Sequence, residues 1–130
     1  MASDAAREPY PYVDEGSGMP VLFLHGIFGS LRNWHDVAAL LSDRYRVIRL
    51  EFPIFEMAPR RCTVRTLTRF VEEFMDSMGL ENPVVVGNSL GGHVARDLAL
   101  RRPEALRALA LCGSSGLFER GFERGVPANP

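Results

Sequence analysis

Four short, mostly apolar runs divide the chain, and each is bounded by turn residues. They are Val21–Leu24, Tyr45–Leu50, Val84–Val86 and Ala108–Cys112. Short runs without a clear polar alternation are typical of strands that are covered on both faces. An earlier piece with two nearby prolines, Tyr10–Val13, is predicted to be an edge strand at most.

Between these runs, apolar residues recur at helical spacing. One such segment is Leu31–Leu41, with Ser30 as the predicted N-cap. A second begins after Thr63, and Gly79 is placed to end it with a left-handed cap. The third runs from Leu90 to Arg101. The buried stripe of the second helix is predicted to be Val64, Leu67, Val71, Phe74, Met75 and Met78.

Strands that alternate with helices predict an α/β fold, with a mostly parallel sheet and helices on both faces. A long irregular link rich in Pro and Phe, Glu51–Cys62, interrupts the alternation. Residues 1–9 form a polar tail, and residues 10–117 are predicted to be the folded domain. Residues 118–130 carry a doubled Phe-Glu-Arg-Gly and are interpreted as a linker or the start of an insertion.

Composition narrows the class of protein. The chain has 130 residues, 46% hydrophobic and 24% charged, which predicts one globular domain. A formal net charge of −1 disfavours nucleic acid and anionic membranes as partners. Cys62 and Cys112 form no Cys-x-x-Cys pair and have no neighbouring histidine, so we expect no metal site. With no membrane-spanning run and no secretory signal, the prediction is a cytoplasmic protein.

The candidate chemistry centres on Gly87-Asn-Ser-Leu-Gly-Gly92, where Ser89 lies between a predicted strand and a predicted helix. A strand that turns sharply into a helix strains the backbone of the residue at the turn and brings the flanking positions so close that only small residues fit. The turn exposes the hydroxyl, and the N–H groups of the following helix point at charge that develops beside it. Such a motif combines a nucleophile with part of an anion site.

A second motif, His25-Gly-Ile-Phe-Gly-Ser30, ends another predicted strand. With both motifs in place, the chain resembles the N-terminal portion of an α/β-hydrolase, in the serine hydrolase or esterase-like branch with a His-Gly-x-x-Gly oxyanion loop and a Gly-Asn-Ser-x-Gly-Gly-His elbow. The resemblance implies a partial α/β-hydrolase core over residues 10–117 and a lid insertion beginning at 118–130.

The resemblance also assigns roles to particular residues. It implies Ser89 as nucleophile and the backbone N–H groups of Ile27 and Leu90 as the oxyanion hole. It implies no cofactor and a small-molecule substrate with a hydrophobic acyl part. Where relatives have an Asp and a glycine-rich turn, this chain has Glu51–Met57, which is bulkier. The predicted substrate pocket is lined by Gly26, Phe28, Phe55 and Met57.

The family places an acid and a basic histidine after the nucleophile, and only His93 follows Ser89. His93 lies one helical turn beyond the serine, so we interpret it as a structural histidine. A serine without a base is a poor nucleophile, and we expect this chain to be nearly inactive alone. The run Ala108–Cys112 would be an apolar sheet edge, which favours a longer parent chain or a partner that supplies the missing C-terminal half.

Two functions therefore remain open. The first is a serine hydrolase that cleaves an ester, or a related acyl or C–C bond, through an acyl-enzyme. The second is a non-catalytic binding or interaction protein that keeps the hydrolase fold. The presence or absence of an acid and a base for Ser89 distinguishes them.

Overall fold

A computed structural model describes residues 10–117, so the predicted tail at 1–9 and the predicted linker at 118–130 lie outside the described residues. The described part contains a five-stranded sheet with the order β1-β3-β2-β4-β5. Strand β1 is antiparallel to β3, and the remaining three strand pairs are parallel. The alternating pattern of strands and helices predicts such a mostly parallel sheet. The strands are β1 (Tyr12–Glu15), β2 (Pro20–Leu24), β3 (Arg46–Leu50), β4 (Val84–Asn88) and β5 (Ala108–Cys112).

Three α-helices connect the parallel strands: α1 (His35–Leu41), α2 (Val64–Met78) and α3 (Leu90–Arg101). The helix predicted from Leu31 is divided, because its first turn, Leu31–Trp34, is a 3₁₀ helix. The caps of α2 are as the sequence predicts: Thr63 accepts a hydrogen bond from the Thr66 N–H, and Gly79 has φ 61° in the left-handed region.

Apolar residues form a cluster on each face of the sheet. Alternate residues of β2 supply both, since Leu22 and Leu24 belong to the larger cluster and Val21 and Phe23 to the smaller one. The larger cluster lies under α2 and α3, and the smaller one includes Ala38 of α1. Helices on both faces are therefore confirmed. Further members of the larger cluster are Ile48, Leu50, Phe52, Leu67, Val71, Phe74, Val85, Val94 and Leu98.

Strand β5 departs from the expectation of a buried strand. It pairs with β4 along one edge, and Ala108, Leu109, Ala110 and Cys112 are all exposed. The reason is positional: within residues 10–117 no strand follows on its outer edge. Among the same residues, no helix is long and apolar enough to cross a membrane.

Candidate active site

The loop that follows β2, His25–Ser30, is a tight turn fixed by its own hydrogen bonds, and we call it the His25 loop. The Gly29 N–H donates to the Gly26 carbonyl at 3.0 Å. The Ser30 N–H donates to Asn33 Oδ1 at 2.7 Å, and Ser30 Oγ accepts the Arg32 N–H at 3.2 Å. A Cβ at Gly29 would lie 2.5 Å from Asn33 Oδ1, so a larger residue here would displace the Asn33 side chain from its hydrogen bond to Ser30. These bonds are local contributions to the shape of the loop.

The His25 side chain joins this loop to the segment after β3. His25 is buried, and its Nδ1 lies 2.6 Å from the Gly26 carbonyl oxygen. Its Nε2 lies 2.9 Å from the Phe52 backbone nitrogen and accepts that N–H. Since Nε2 accepts, the neutral ring carries its proton on Nδ1 and donates it to Gly26. His25 therefore orders this loop through hydrogen bonds at both ring nitrogens.

The turn between β4 and α3 places Ser89 in a strained backbone conformation. Ser89 has φ 53° and ψ −116°, and among the described non-glycine residues only Asn82 shares a positive φ. The turn is tight because the backbone at Gly87, before Ser89, lies close to the backbone at Gly92, after it. A Cβ at Gly87 would lie 2.6 Å from Gly92 Cα. A Cβ at Gly91 would lie 2.6 Å from the His25 carbonyl oxygen. These close approaches are the steric reason for the glycine spacing around Ser89.

The His25 loop and the Ser89 turn meet at one cavity of about 360 Å³. A Cβ at Gly26 would lie only 3.4 Å from Ser89 Cβ, so the two backbones nearly touch. Leu90 is the first residue of α3, where backbone N–H groups lack helical partners and favour negative charge. The cavity is lined by Gly26, Ile27, Phe28, Gly29, Asn33, Asn88 and Ser89.

The predicted pocket residues divide among three cavities. Gly26 and Phe28 line the cavity of Ser89, and the Phe28 side chain is 89% exposed. Phe55 lines a neighbouring cavity of about 250 Å³ together with Ile27 and Glu51. Met57 is separate from both, in a cavity against Phe70 of α2. Phe55 belongs to the 3₁₀ turn Ile54–Glu56, whereas Met57 follows this turn in the chain and packs against the larger apolar cluster.

Two polar residues at the cavity were not predicted from the sequence. Asn33 reaches it because the residues before α1 form a 3₁₀ turn rather than α-helix, and Asn88 reaches it as the last residue of β4. For Asn88 the sequence did contain a signal, because a residue directly before Ser89 is expected to lie near the same cavity.

His93 contacts the residues that follow β5. Its Nδ1 lies 3.4 Å from Ser115 Oγ, and Gly116 packs so closely on the ring that a Cβ would lie 2.5 Å from Nε2. Within residues 10–117, no three His, Cys, Asp or Glu side chains are grouped so that they could hold a metal ion.

Comparisons with known proteins agree with this geometry. The family model described as the alpha/beta hydrolase fold matches residues 19–128. An α/β hydrolase from the metagenome of sediments of the Mar Chica lagoon, Morocco, superposes with a TM-score of 0.79 at 38% identity, covering 85% of this chain and 51% of that one.

Two curated relatives are similar in sequence. The dihydrolipoyllysine-residue acetyltransferase component of the acetoin cleaving system of Cupriavidus necator is 38% identical, over 81% of this chain and 29% of that protein. The 2-hydroxy-6-oxo-6-phenylhexa-2,4-dienoate hydrolase of Comamonas testosteroni is 33% identical, over 85% of this chain and 42% of that protein. The chain thus spans less than half the length of these two relatives. By the family model, the relatives and the strand order together, the chain belongs to the α/β hydrolase fold family.

Proposed function

We propose that Ser89 is the nucleophile of a serine hydrolase that acts on an ester or a related acyl or C–C bond. One observation carries the proposal: Ser89 has a strained backbone at the strand–helix turn and lines the same cavity as Ile27. Strained non-glycine residues cost about 1–3 kcal/mol and concentrate at functional sites. An ordinary helix N-cap needs no such strain, and Ser89 makes no side-chain cap hydrogen bond.

The proposed reaction proceeds through an acyl-enzyme. Ser89 Oγ attacks the carbonyl carbon of an ester and gives up its proton to a base. The carbonyl oxygen becomes negative and accepts hydrogen bonds from the N–H groups of Ile27 and Leu90. The C–O bond to the alcohol then breaks, and the alcohol leaves with a proton. Water attacks the resulting acyl-Ser89 ester and releases the acid, which restores the hydroxyl.

The base and the acid must come from outside residues 10–117. His93 is the one histidine that follows Ser89 in the sequence, and its ring is held by Ser115 and Gly116. The exposed edge of β5 leaves room for a further strand, and the relatives are more than twice as long as the match. We therefore propose that a C-terminal half of the fold, in the same or a second polypeptide, supplies both groups.

Apolar side chains at the cavity favour a substrate with a hydrophobic acyl part. Ile27, Phe28 and Phe55 are all exposed around the two neighbouring cavities. Exposed apolar surface beside a few polar groups is typical of small-molecule sites. The Comamonas relative is named as a dienoate hydrolase, which fits this substrate class.

Both cysteines are free thiols. A cytoplasmic location stays a prediction from the sequence.

Mixing experiments test the proposal. The full chain is assayed on p-nitrophenyl butyrate alone and after addition of the C-terminal portion that the Mar Chica hydrolase carries beyond the match. We expect almost no turnover alone and a gain on mixing that the Ser89→Ala chain does not show. A gain that survives Ser89→Ala would refute the role of Ser89. If the mixture forms a complex without any gain, complementation is wrong.

Only His93 follows Ser89 in the sequence as a candidate base. This observation favours one alternative, a binding protein that keeps the hydrolase fold. Under this alternative the cavity holds a ligand without bond cleavage. A chain that binds a phenylboronic acid reversibly but never forms a covalent adduct with a fluorophosphonate at Ser89, even when complemented, would support it. Covalent labelling of Ser89 would exclude it.

A further inference from the structure

The four residues after β5, Gly113–Gly116, contact the Ser89 turn directly, and we call them the post-β5 loop. The Ser89 N–H donates to the Cys112 carbonyl at 3.0 Å, which continues the pairing of β4 with β5. The Ser89 carbonyl accepts the Ser115 N–H at 3.2 Å, and it also accepts the His93 N–H of α3 at 3.1 Å. Both backbone polar groups of the strained residue are therefore bonded to residues 112–115.

The Ser115 side chain adds a second connection to the same carbonyl. Ser115 Oγ lies 3.5 Å from the Ser89 carbonyl oxygen and 3.4 Å from His93 Nδ1. A hydroxyl has one proton to donate, so both contacts are made together only when His93 Nδ1–H donates to Ser115 Oγ. The hydroxyl proton then goes to Ser89. In this arrangement His93 carries a proton on Nδ1 and is connected through Ser115 to the Ser89 carbonyl, beside the shorter bonds from the Ser115 and His93 N–H groups.

Packing holds the post-β5 loop against α3. Gly116 has φ 79°, and its Cα lies so near His93 that a Cβ would be 2.5 Å from the ring. Ser114 packs on Gly92, where a Cβ would be 2.6 Å from Ser114 Oγ. His93 and Gly92 belong to the first turns of α3, directly after Ser89. The post-β5 loop thus packs on α3, the helix that begins directly after the Ser89 turn.

We infer that His93 and Ser115 are positioning residues that hold Ser89 in its strained conformation through the post-β5 loop. The inference rests on the proposed function, because it gives the two residues a part in aiming the Ser89 hydroxyl and the Leu90 N–H. The backbone torsion ψ of Ser89 sets the direction of the Leu90 N–H, so relaxation of Ser89 moves both groups at once. A misplacement of about 1 Å costs on the order of 100-fold in rate.

Substitutions in the full chain test this, with the rate of Ser89 modification by a fluorophosphonate as the readout. Ser115→Ala removes the side-chain connection, and we expect a rate about tenfold lower. Gly116→Ala drives a Cβ into the His93 ring, and we expect a fall on the order of 100-fold. His93→Leu should behave like Ser115→Ala, whereas His93→Asn, which keeps a polar atom near Nδ1, should restore most of the rate.

Matched controls separate positioning from general stability. Ser77→Ala removes another serine hydroxyl that donates to a backbone carbonyl, that of Phe74. Gly79→Ala places a Cβ at a similar φ of 61°, but with nothing within 4 Å. Whatever its effect on Tm, at a temperature where the chain stays folded we expect the modification rate of each control to equal that of the wild-type chain. Equal slowing in the Ser115 and Ser77 variants would overturn the inference, as would a Ser115→Ala chain that reacts at the wild-type rate.

Nuclear magnetic resonance tests the positioning independently of reactivity. We expect a strong intraresidue HN–Hα NOE at Ser89, the mark of a positive φ, which weakens in Ser115→Ala and His93→Leu. The ¹⁵N shifts of His93 should show a protonated Nδ1. An unprotonated Nδ1 at neutral pH, or an unchanged NOE in both variants, would overturn the inference. A wild-type Ser89 that reacts no faster than in the unfolded chain would instead refute the proposed function and leave this NOE test valid.

Discussion

His25 Nε2 accepts the Phe52 N–H at 2.9 Å, so a single imidazole ring connects the loop after β2 to the segment after β3. A second connection runs beside it, since the Leu31 N–H donates to Glu51 Oε1 at 3.4 Å. The two segments line a shared cavity next to Ser89. The shape of the His25 loop, and with it the direction of the Ile27 N–H, therefore depends on a contact between strands that are adjacent in the sheet.

Replacement of His25 tests this dependence. In His25→Leu the Phe52 N–H is left buried without a partner, which costs about 1–3 kcal/mol in the free energy of unfolding. His25→Gln keeps an oxygen near the position of Nε2 and should lose less than half as much. Urea denaturation measures both. Equal losses in the two variants would show that packing of the ring, rather than the hydrogen bond to Phe52, holds the loop.

The adjacent glycines Gly91 and Gly92 provide a matched pair for the steric argument about the turn. A Cβ at Gly91 meets the backbone carbonyl oxygens of Leu24 and His25 at 2.4 and 2.6 Å, whereas a Cβ at Gly92 meets the Ser114 side chain at 2.6 Å and its nearest backbone atom, the Gly87 carbonyl oxygen, only at 3.2 Å. We expect Gly91→Ala to cost about 2–3 kcal/mol by overpacking and Gly92→Ala clearly less. Thermal and urea unfolding of both variants checks the order. A smaller loss for Gly91→Ala would contradict the close approach of α3 to β2.

The sequence was sufficient where local chemistry decides the structure. The α2 caps at Thr63 and Gly79 and the strand–turn–helix around Ser89 follow from side-chain and backbone preferences within a few residues. The path of the chain after β3 was not predictable in this way. Met57 lies between two 3₁₀ turns and lines a cavity with Phe70, and nothing in the spacing of apolar residues indicates such turns.

Contacts between distant segments set a second limit. The pairing of His93 with Ser115 joins residues 22 positions apart, and the approach of Gly26 to Ser89 joins two loops from different strands. The resemblance to a family predicted that Ile27 and Ser89 belong together, but it carried no information on the post-β5 loop. The burial predicted for β5 is not observed, because an apolar run is the same whether or not a neighbouring strand covers it, whereas the apolar edge expected for a sheet that ends at Ala108–Cys112 is observed.

The exposed apolar edge at β5 leads to a prediction about association. Leu109 is exposed at the middle of β5, and an uncharged apolar edge strand pairs readily with other chains. We expect the chain to form larger species as its concentration rises, and Leu109→Lys to suppress them. Size-exclusion chromatography with light scattering measures this. The control is Leu40→Lys on α1, where the residue is 79% exposed and belongs to a helix rather than to a strand.

Comparison of Leu109→Lys with Leu40→Lys tests whether the edge of β5 causes the association. If Leu40→Lys suppresses association as much as Leu109→Lys does, general surface charge is the cause. A wild-type chain that stays monomeric at all concentrations would also contradict an open pairing edge.

The most direct test of the central claim compares Ser89 in the folded and unfolded chain. The folded wild-type chain and the same chain in urea are treated with a fluorophosphonate, and the adduct is located by peptide mass spectrometry. The proposed oxyanion donors, the backbone N–H groups of Ile27 and Leu90, need no base to stabilise negative charge on the reagent, and the unfolded chain lacks this arrangement. We therefore predict a single adduct at Ser89 that forms much faster in the folded chain, with Ser114 and Ser115 unmodified. Equal rates in the two states, or adducts spread over several serines, would contradict the assignment of Ser89 as nucleophile.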